Sequence, residues 1–189
     1  LMPGDLKFED YNGDGIIDDN DTQPLGHGAT PRMYYGLNMS GEYKGFDLTV
    51  FFQGAAGHDI YVSGDILDPF IQQGLGNGLA IMTDRWHRED PTDPYSKWIP
   101  GYMPAARVAG VADNRSGNSW SLHNANYLRL KTLELGYTLP KVLTKKAAID
   151  RVRFYINCNN LLTFTKRDGL MKNVDPESNS SGIRYYPQM

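Results

Sequence analysis

Cysteine is almost absent from this chain, because Cys158 is the only one among 189 residues. A single thiol excludes an internal disulfide framework. Apolar runs are short too: no stretch approaches the roughly 18 residues of a membrane-spanning helix. Neither sign of charge dominates, since 19 basic and 22 acidic residues leave a net charge of −3 and a pI near 5.8. We therefore expect no nucleic-acid partner.

A catalytic constellation is also missing from the sequence. The four histidines are scattered and form no spaced metal set, and no Gly-x-Ser-x-Gly elbow frames Ser119 or Ser121. We therefore expect that the protein is not an enzyme. Trp98 and Trp120 have two interpretations that the sequence leaves open: platforms on which sugar rings stack, or anchors inside a packed loop.

An acidic run near the start of the chain is the clearest local signal. Residues 10–21 place oxygen ligands at the spacing of a twelve-residue EF-hand loop, with Gly15 at the sharp bend. The predicted calcium ligands are the side chains of Asp10, Asn12, Asp14, Asp18 and Asp21 and the backbone carbonyl of Ile16. The last ligand is Asp instead of Glu, and Pro24 and Gly26 exclude an immediate second helix. The alternative is an acidic turn that binds no ion.

Four segments alternate apolar and polar residues with a period of two, which predicts strands with two different faces. These segments are 34–43, 46–53, 127–138 and 152–164. The Lys44-Gly45 dipeptide between the first two predicts a tight antiparallel hairpin. The third changes phase near Lys131-Thr132, which indicates either a β-bulge or a half-strand that extends beyond the apolar belt.

The connections between these segments alternate between short and long. The short ones follow Tyr43 and Thr138, and the second contains a helix-compatible stretch from Val142 to Ala148. A long one of about 70 residues follows Ala55, with helical character in Asp68–Trp86, and another follows Phe164. Together with the acidic loop, the long connections fall at one end of the strands. A transmembrane β-barrel has this asymmetry. The alternative is a soluble β-sandwich or jelly roll, whose strands alternate apolar and polar residues in the same way.

The barrel interpretation assigns each face of the strands an environment. Cys158 and the other apolar residues would face lipid, and polar residues would face a lumen. The predicted lumen residues are Glu42, Gln53, Asn157 and Asn159, and the predicted interfacial aromatics are Tyr43, Phe46, Tyr137 and Phe164.

Six stretches carry a family resemblance: Gly4–Asp18, Pro31–Asn38, Tyr43–Gly54, Asn126–Pro140, Arg151–Asn157 and Asn160–Thr165. As a set, they resemble the C-terminal part of the SusC/RagA-type TonB-dependent outer-membrane transporters. The resemblance implies an all-β fold, in which these are antiparallel strands of a transmembrane barrel of about 22 strands with long extracellular loops. The plug and the final strand of that family are not in this sequence. We therefore expect the chain to be a fragment of a longer protein.

The resemblance also implies an organisation and a function. It divides the chain into an extracellular calcium-type loop (1–30), a hairpin (31–55), a long extracellular loop (56–125), a strand pair (126–165) and a further extracellular loop (166–189). The implied function is import of a glycan or peptide across the outer membrane. A SusD-type surface lipoprotein would act as a lid, the TonB system would supply energy through the absent N-terminal part, and Ca²⁺ would be structural. The alternative is a secreted calcium-binding β-domain that binds carbohydrate.

Overall fold

The computed structural model describes residues 1–63, 67, 79–107, 117–166 and 169–178. Two compact units divide the chain. The strand unit consists of Thr30–His58 and Ala125–Lys166, and the loop unit consists of Leu1–Ala29, Asp59–Asn124 and Arg167–Met189. In the part of the chain that the structure describes, no helix has the length and hydropathy to cross a membrane.

The regular secondary structure of the described residues is mainly β-strand, with one short helix. The strands are β1 (Met33–Tyr43), β2 (Phe46–Ala56), β3 (Asp59–Tyr61), β4 (His87–Arg88), β5 (Trp98–Ile99), β6 (Leu122–Asn124), β7 (Tyr127–Thr138) and β8 (Arg153–Thr165). The helix is α1 (Lys141–Thr144), and single 3₁₀ turns lie at Asp19–Asp21, Ala80–Thr83, Lys145–Ala147 and Gly169–Asn173.

The strand unit is a four-stranded antiparallel sheet in the order β1-β2-β7-β8. Its first hairpin turns within two residues, because Tyr43 pairs with Phe46. Lys44 and Gly45 have φ angles of 50° and 88°, which is the left-handed backbone that a two-residue hairpin turn of the primed type requires. The tight hairpin predicted from the sequence is confirmed.

The two long hairpins of the sheet meet through β2 and β7. Their register runs from Phe46↔Tyr137 to Ala55↔Tyr127 and shifts between Phe51 and Phe52, where Lys131 is the extra residue. On the other side of β7, the register with β8 shifts at the same height, and Asn160 adopts a φ of 53° there. Of the two predicted explanations for the phase change, the β-bulge is therefore the one that occurs.

The strand ends confirm the predicted asymmetry of the connections. Tyr43, Phe46, Thr138 and Arg153 lie at one end of the sheet, where the short connections join the strands. Met33, Ala56, Tyr127 and Thr165 lie at the opposite end, where the chain enters or leaves through its long segments. Within the described residues, β1 and β8 each pair on one side only.

The loop unit is built from short pieces around a small core. Strand β3 pairs with β6, β4 pairs with β5, and Arg85 bridges Met103 in parallel. The buried apolar side chains of this unit are Ile60, Val62, Met82, Met103, Ala105, Leu170, Met171 and Val174. Most of the helical character predicted for Asp68–Trp86 falls on residues 68–78, which lie outside the described residues. The described remainder contains a single 3₁₀ turn, Ala80–Thr83.

Candidate functional site

One face of the four-stranded sheet is apolar across all four strands. Cross-strand partners share a face in an antiparallel sheet, so the register arranges these residues in rows. From the short-connection end, the rows are Tyr43/Phe46/Tyr137/Phe154, Gly41/Leu48/Leu135/Ile156, Met39/Val50/Leu133/Cys158, Leu37/Phe52/Leu130/Leu162 and Tyr35/Gly54/Leu128/Phe164. Most of the large side chains in these rows are exposed. An apolar surface of this extent needs an apolar environment or a partner to cover it.

The opposite face is mainly polar and carries a charged bridge near the short-connection end. Arg153 donates from Nε to Asp47 Oδ1 at 3.1 Å, from Nη2 to Asp47 Oδ2, and from Nη2 to Glu134 Oε1 at 2.6 Å. Asn157 Nδ2 donates to the other oxygen of Glu134 at 3.0 Å. The guanidinium group therefore ties side chains of β2, β7 and β8 together on this face.

A glycine makes this bridge sterically possible. Gly136 lies in the row between Asp47 and Tyr155, directly under the path of the Arg153 side chain. A Cβ at this position would stand 2.6 Å from both Arg153 Nη2 and Asp47 Oδ1, closer than non-bonded atoms approach. The sequence shows Gly136 only as an interruption of a strand pattern, and the bridge that explains it depends on the register of three strands.

The predicted calcium loop is held together by its own side chains. Asp10 accepts hydrogen bonds from the backbone N–H groups of Gly13 and Gly15, at 2.7 and 2.8 Å. Asn12 accepts from the N–H of Asp14, and Asp14 accepts from the N–H of Ile16, both at 2.8 Å. Gly15 has a φ of 85°, as expected for the sharp bend at this position.

The last predicted ligand closes the loop on its first residues. Asp21 Oδ1 accepts from the N–H groups of Tyr11 and Asn12 at 2.8 and 3.2 Å, and Oδ2 accepts from the N–H of Asp18 at 2.9 Å. These bonds, that of Asp18 first, lower the pKa of the Asp21 carboxyl below its ordinary value. Asp18 caps the 3₁₀ turn that carries Asp21 and accepts from the N–H of Asn20.

Hydrogen bonds from backbone N–H groups to the side chains at all five ligand positions thus fix the conformation of the loop. The oxygens of these side chains are engaged with backbone N–H groups, and no group of three or more His, Cys, Asp or Glu close enough to hold a metal is found within the described residues. The donor set is of the type that Ca²⁺ prefers, since all six predicted ligands supply oxygen.

No protein-family model matches the chain. Individual relatives match over nearly its whole length. The chain is 33% identical over 177 residues to TonB-dependent receptor P3 of Formosa agariphila, a match that covers 94% of this chain and 16% of that protein. It is 29% identical over 179 residues to TonB-dependent receptor P26 of the same organism, covering 95% of this chain and 17% of that protein. The chain therefore spans about a sixth of the length of these relatives.

Solved structures share the fold of the chain. The RagAB peptide transporter superposes with a TM-score of 0.58 at 23% identity, over 88% of this chain and 17% of that chain. The RagAB peptide importer in its open-open state gives a TM-score of 0.57 at 22% identity, over 88% of this chain and 16% of that chain.

Over nearly its whole length, this chain is therefore similar to one part of TonB-dependent receptors, and it has the fold of one part of the RagAB transporter. The four-stranded sheet thus has the fold of a piece of β-barrel wall and not of a sandwich. A whole barrel of about 22 strands stays a prediction.

The two tryptophans considered as sugar platforms lie in the loop unit of the chain. Trp98 has the guanidinium groups of Arg88 and Arg107 at 4.5 and 5.3 Å from its ring centroid, so cations occupy the surroundings of its ring. Trp120 packs against Tyr102 with ring centroids 5.8 Å apart. These contacts favour the interpretation of Trp98 as an anchor of the packed loop, and they leave both interpretations of Trp120 open.

Proposed function

We propose that this chain is part of a TonB-dependent receptor of the SusC/RagA type, an outer-membrane protein that is not an enzyme. We propose that this receptor imports a nutrient, either a glycan or a peptide, across the outer membrane. The supporting observation is the sheet itself, whose continuous apolar face suits lipid and whose polar face suits a lumen. Two of the solved structures with this fold are a peptide importer and a peptide transporter. The chain would contribute four strands of the barrel wall and the segments that join them outside the membrane.

We further propose two partners for this receptor. A SusD-type surface lipoprotein would cover the extracellular end of the barrel, and the TonB system would act on a part of the protein outside this sequence. Support for the TonB system comes from the relatives, which are named TonB-dependent receptors, and support for the lipoprotein comes from the RagAB structures, one chain of which contains the fold of this chain. The polar face of the sheet would line the path of the substrate, and binding energy for the substrate would come mainly from parts not in this chain.

Uptake by cells tests the import function. The gene of the full-length receptor is deleted, and growth is measured on glycans and on peptides supplied as the only carbon source. Loss of growth on one class, restored by the complete gene, is the expected result. Unchanged growth on every glycan and peptide that the parent strain uses would contradict import of these nutrients, and purification of the tagged receptor without any lipoprotein would contradict the lid.

We also propose that the acidic loop binds one structural Ca²⁺ ion. Asp10, Asn12, Asp14, Asp18 and Asp21 would supply side-chain oxygens, and Ile16 would supply its carbonyl. When bound, the ion would crosslink the two ends of the loop, in place of some of the hydrogen bonds that the carboxylates make with the backbone. Its role would be rigidity of an external segment and not catalysis.

The replacement Asp14→Ala tests this calcium site in the full-length receptor. It removes the central carboxylate, so we expect the variant to lose the rise in melting temperature that calcium gives the parent protein. Calcium at 100 times its dissociation constant would stabilise the folded parent by about 2.7 kcal/mol. Asp19→Ala is the matched control, because Asp19 is not at a ligand position. An equal calcium response in the Asp14 variant and the parent would contradict the site.

A further inference from the structure

The connection between β7 and β8 has its polar and apolar residues reversed. Thr144 in α1 is buried, with 4% of its surface exposed, and its hydroxyl donates to the carbonyl of Lys141 at 3.3 Å. Val142 and Leu143 in the same helix are 74% and 55% exposed, and Ile149 is 46% exposed. Helices that face water bury their apolar residues and expose their polar ones. The arrangement of this connection therefore suits a surrounding that is not water.

The exposure of these apolar residues does not come from a loosely held chain. The N–H of Leu143 donates to the carbonyl of Pro140 at 2.9 Å, and the N–H of Ile149 donates to the carbonyl of Thr144 at 3.1 Å. At the base of the connection, the N–H of Leu139 donates to the carbonyl of Val152 at 2.9 Å. The backbone is thus closed by hydrogen bonds at both ends and holds the three apolar side chains outward.

Basic residues flank the exposed apolar ones in the sequence. Lys141, Lys145, Lys146 and Arg151 lie in or beside the connection, and Asp150 is the single acidic residue between Thr138 and Val152. All three lysines are exposed. Exposed apolar residues flanked by exposed lysines are typical of segments that lie in the headgroup region of a membrane, with apolar groups inserted and ammonium groups near the phosphates.

The position of this connection within the strand unit supports the same conclusion. It joins the sheet at the end where the apolar face terminates in the aromatic row Tyr43/Phe46/Tyr137/Phe154. The rings of Phe46 and Tyr137 pack at 4.5 Å, and Lys44 lies over the ring of Tyr43 at 5.2 Å. Aromatic rows with adjacent lysines mark the boundary between hydrocarbon and headgroups in membrane proteins.

We propose that the segment Pro140–Arg151 is a lipid-binding element at the short-connection end of the sheet. Val142, Leu143 and Ile149 would enter the boundary between headgroups and acyl chains, and Lys141, Lys145 and Lys146 would bind the phosphates of anionic phospholipids. This inference rests on the proposed membrane function of the receptor. A segment of the same receptor outside this sequence is the competing occupant of the apolar surface, and it is an outcome of the test.

The experiment places a fluorescent probe on the exposed side of α1. The full-length receptor, with Cys158→Ser and Val142→Cys, is labelled with an environment-sensitive nitrobenzoxadiazole group and placed in phosphatidylcholine nanodiscs with or without phosphatidylglycerol. Lipids brominated near the glycerol serve as quenchers. A second protein, with Cys158→Ser and Ile156→Cys, reports on the apolar face of the sheet. We expect quenching at both positions, and stronger quenching at 142 when phosphatidylglycerol is present.

The two probes separate failure of this inference from failure of the membrane function. Quenching at 156 without quenching at 142 would overturn the lipid-binding element, and a blue-shifted but unquenched probe at 142 would identify protein as its cover. Absence of quenching at both positions would overturn the membrane function as well. The triple variant K141Q/K145Q/K146Q should lose the phosphatidylglycerol effect at 142, and K141R/K145R/K146R should retain it. An effect of equal size in the glutamine variant would overturn the role of the lysines.

Discussion

Asp21 is the single residue on which the shape of the acidic loop depends most. Its carboxylate accepts hydrogen bonds from the backbone N–H groups of Asp18, Asn12 and Tyr11, and these bonds lower its pKa. A carboxyl group with a lowered pKa stabilises the folded loop above its ordinary pKa of about 3.8, and this contribution is lost as the pH falls through the lower folded value.

We therefore expect the loop, in the absence of calcium, to open progressively as the pH falls from that ordinary value through the lower folded one. Hydrogen exchange of the Tyr11, Asn12 and Asp18 amides, compared with unprotected peptides at each pH, measures this opening. Asp21→Asn should give faster exchange at neutral pH and remove the pH dependence, because an amide has a single acceptor oxygen. Asp19→Asn is the matched control. Protection that does not change with pH in the parent protein would contradict the role of Asp21.

Gly136 carries a second prediction at the scale of one residue. Gly136→Ala would place a methyl group against the bridge between Arg153 and Asp47, so the bridge must break or the strands must shift. We expect a loss of about 1–3 kcal/mol in the free energy of unfolding of the full-length receptor, as for other overpacked positions. Gly41→Ala is the control, because a Cβ at Gly41 meets no atom within 4 Å. Equal stability of the two variants would contradict the steric role of Gly136.

At this scale, the sequence predicts local chemistry better than long-range contacts. The loop side chains act within a dozen residues, so their spacing alone predicts the turn that they form. The Arg153–Asp47 pair joins residues 106 positions apart, and its formation depends on the registers of β2, β7 and β8. No local pattern encodes such a pair. Likewise, the burial of Thr144 has no periodic signal in a four-residue helix.

The bulge in β7 is the feature that matters most at the scale of elements. Lys131 is the additional residue that lets Leu128 and Leu130 share a face with Leu133 and Leu135. Deletion of Lys131 alone would remove the extra residue and leave these four leucines in strict alternation on one face. Deletion of both Lys131 and Thr132 would make Leu130 and Leu133 neighbours and turn the apolar side chains of one half of the strand to the polar face. We expect the double deletion to abolish assembly of the full-length receptor in the outer membrane.

Heat-modifiable migration in electrophoresis, together with the amount of receptor in outer-membrane fractions, measures this assembly. Deletion of Lys131 alone is the matched control, because it removes only the extra residue, keeps the alternation and should assemble like the parent. Normal assembly of the double-deletion variant would contradict the need for one apolar face along the whole of β7. The two variants therefore separate loss of the bulge from reversal of the faces.

The strands illustrate what periodicity can and cannot predict about elements. Alternation predicted all four long strands, and the observed ends of β1, β2, β7 and β8 differ from the predicted ones by at most three residues. It did not choose between the bulge and an overhanging half-strand, because the pattern of one strand is the same in both cases. The neighbouring strands decide, since Phe51 and Phe52 pair on either side of Lys131.

At the scale of the whole molecule, the apolar face and the polar face must meet different environments. Leu133 and Thr132 are neighbours in β7 and point to opposite faces, with Leu133 in the middle row beside Val50 and Cys158. Arginine on the lipid face of a barrel near the bilayer midplane costs about 2–4 kcal/mol. We expect Leu133→Arg to lower the free energy of unfolding of the full-length receptor in lipid vesicles by this amount.

Thr132→Arg introduces the same charge one residue away on the lumen side and should cost much less. Denaturant titration in vesicles, monitored by tryptophan fluorescence, compares the two variants. If the Thr132 variant were the less stable one, the assignment of the two faces would be reversed. The alternation alone could not make this assignment, because a soluble sandwich alternates in the same way. The family resemblance of the sequence favours the barrel, and the largely exposed apolar face of the four strands agrees with it.

The connection of about 70 residues between β2 and β7 has a consequence for the order in which the sheet assembles. The β1–β2 hairpin closes over two residues, and each doubling of a flexible loop adds about 0.6 kcal/mol of closure entropy. By this scaling, pairing β2 with β7 carries about 3 kcal/mol more entropic cost than closing the first hairpin. The two hairpins should therefore form early and separately, and the pairing of β2 with β7 should be the slow step in assembly of the sheet. Until that pairing forms, the unpaired edges of β2 and β7 stay open to other chains.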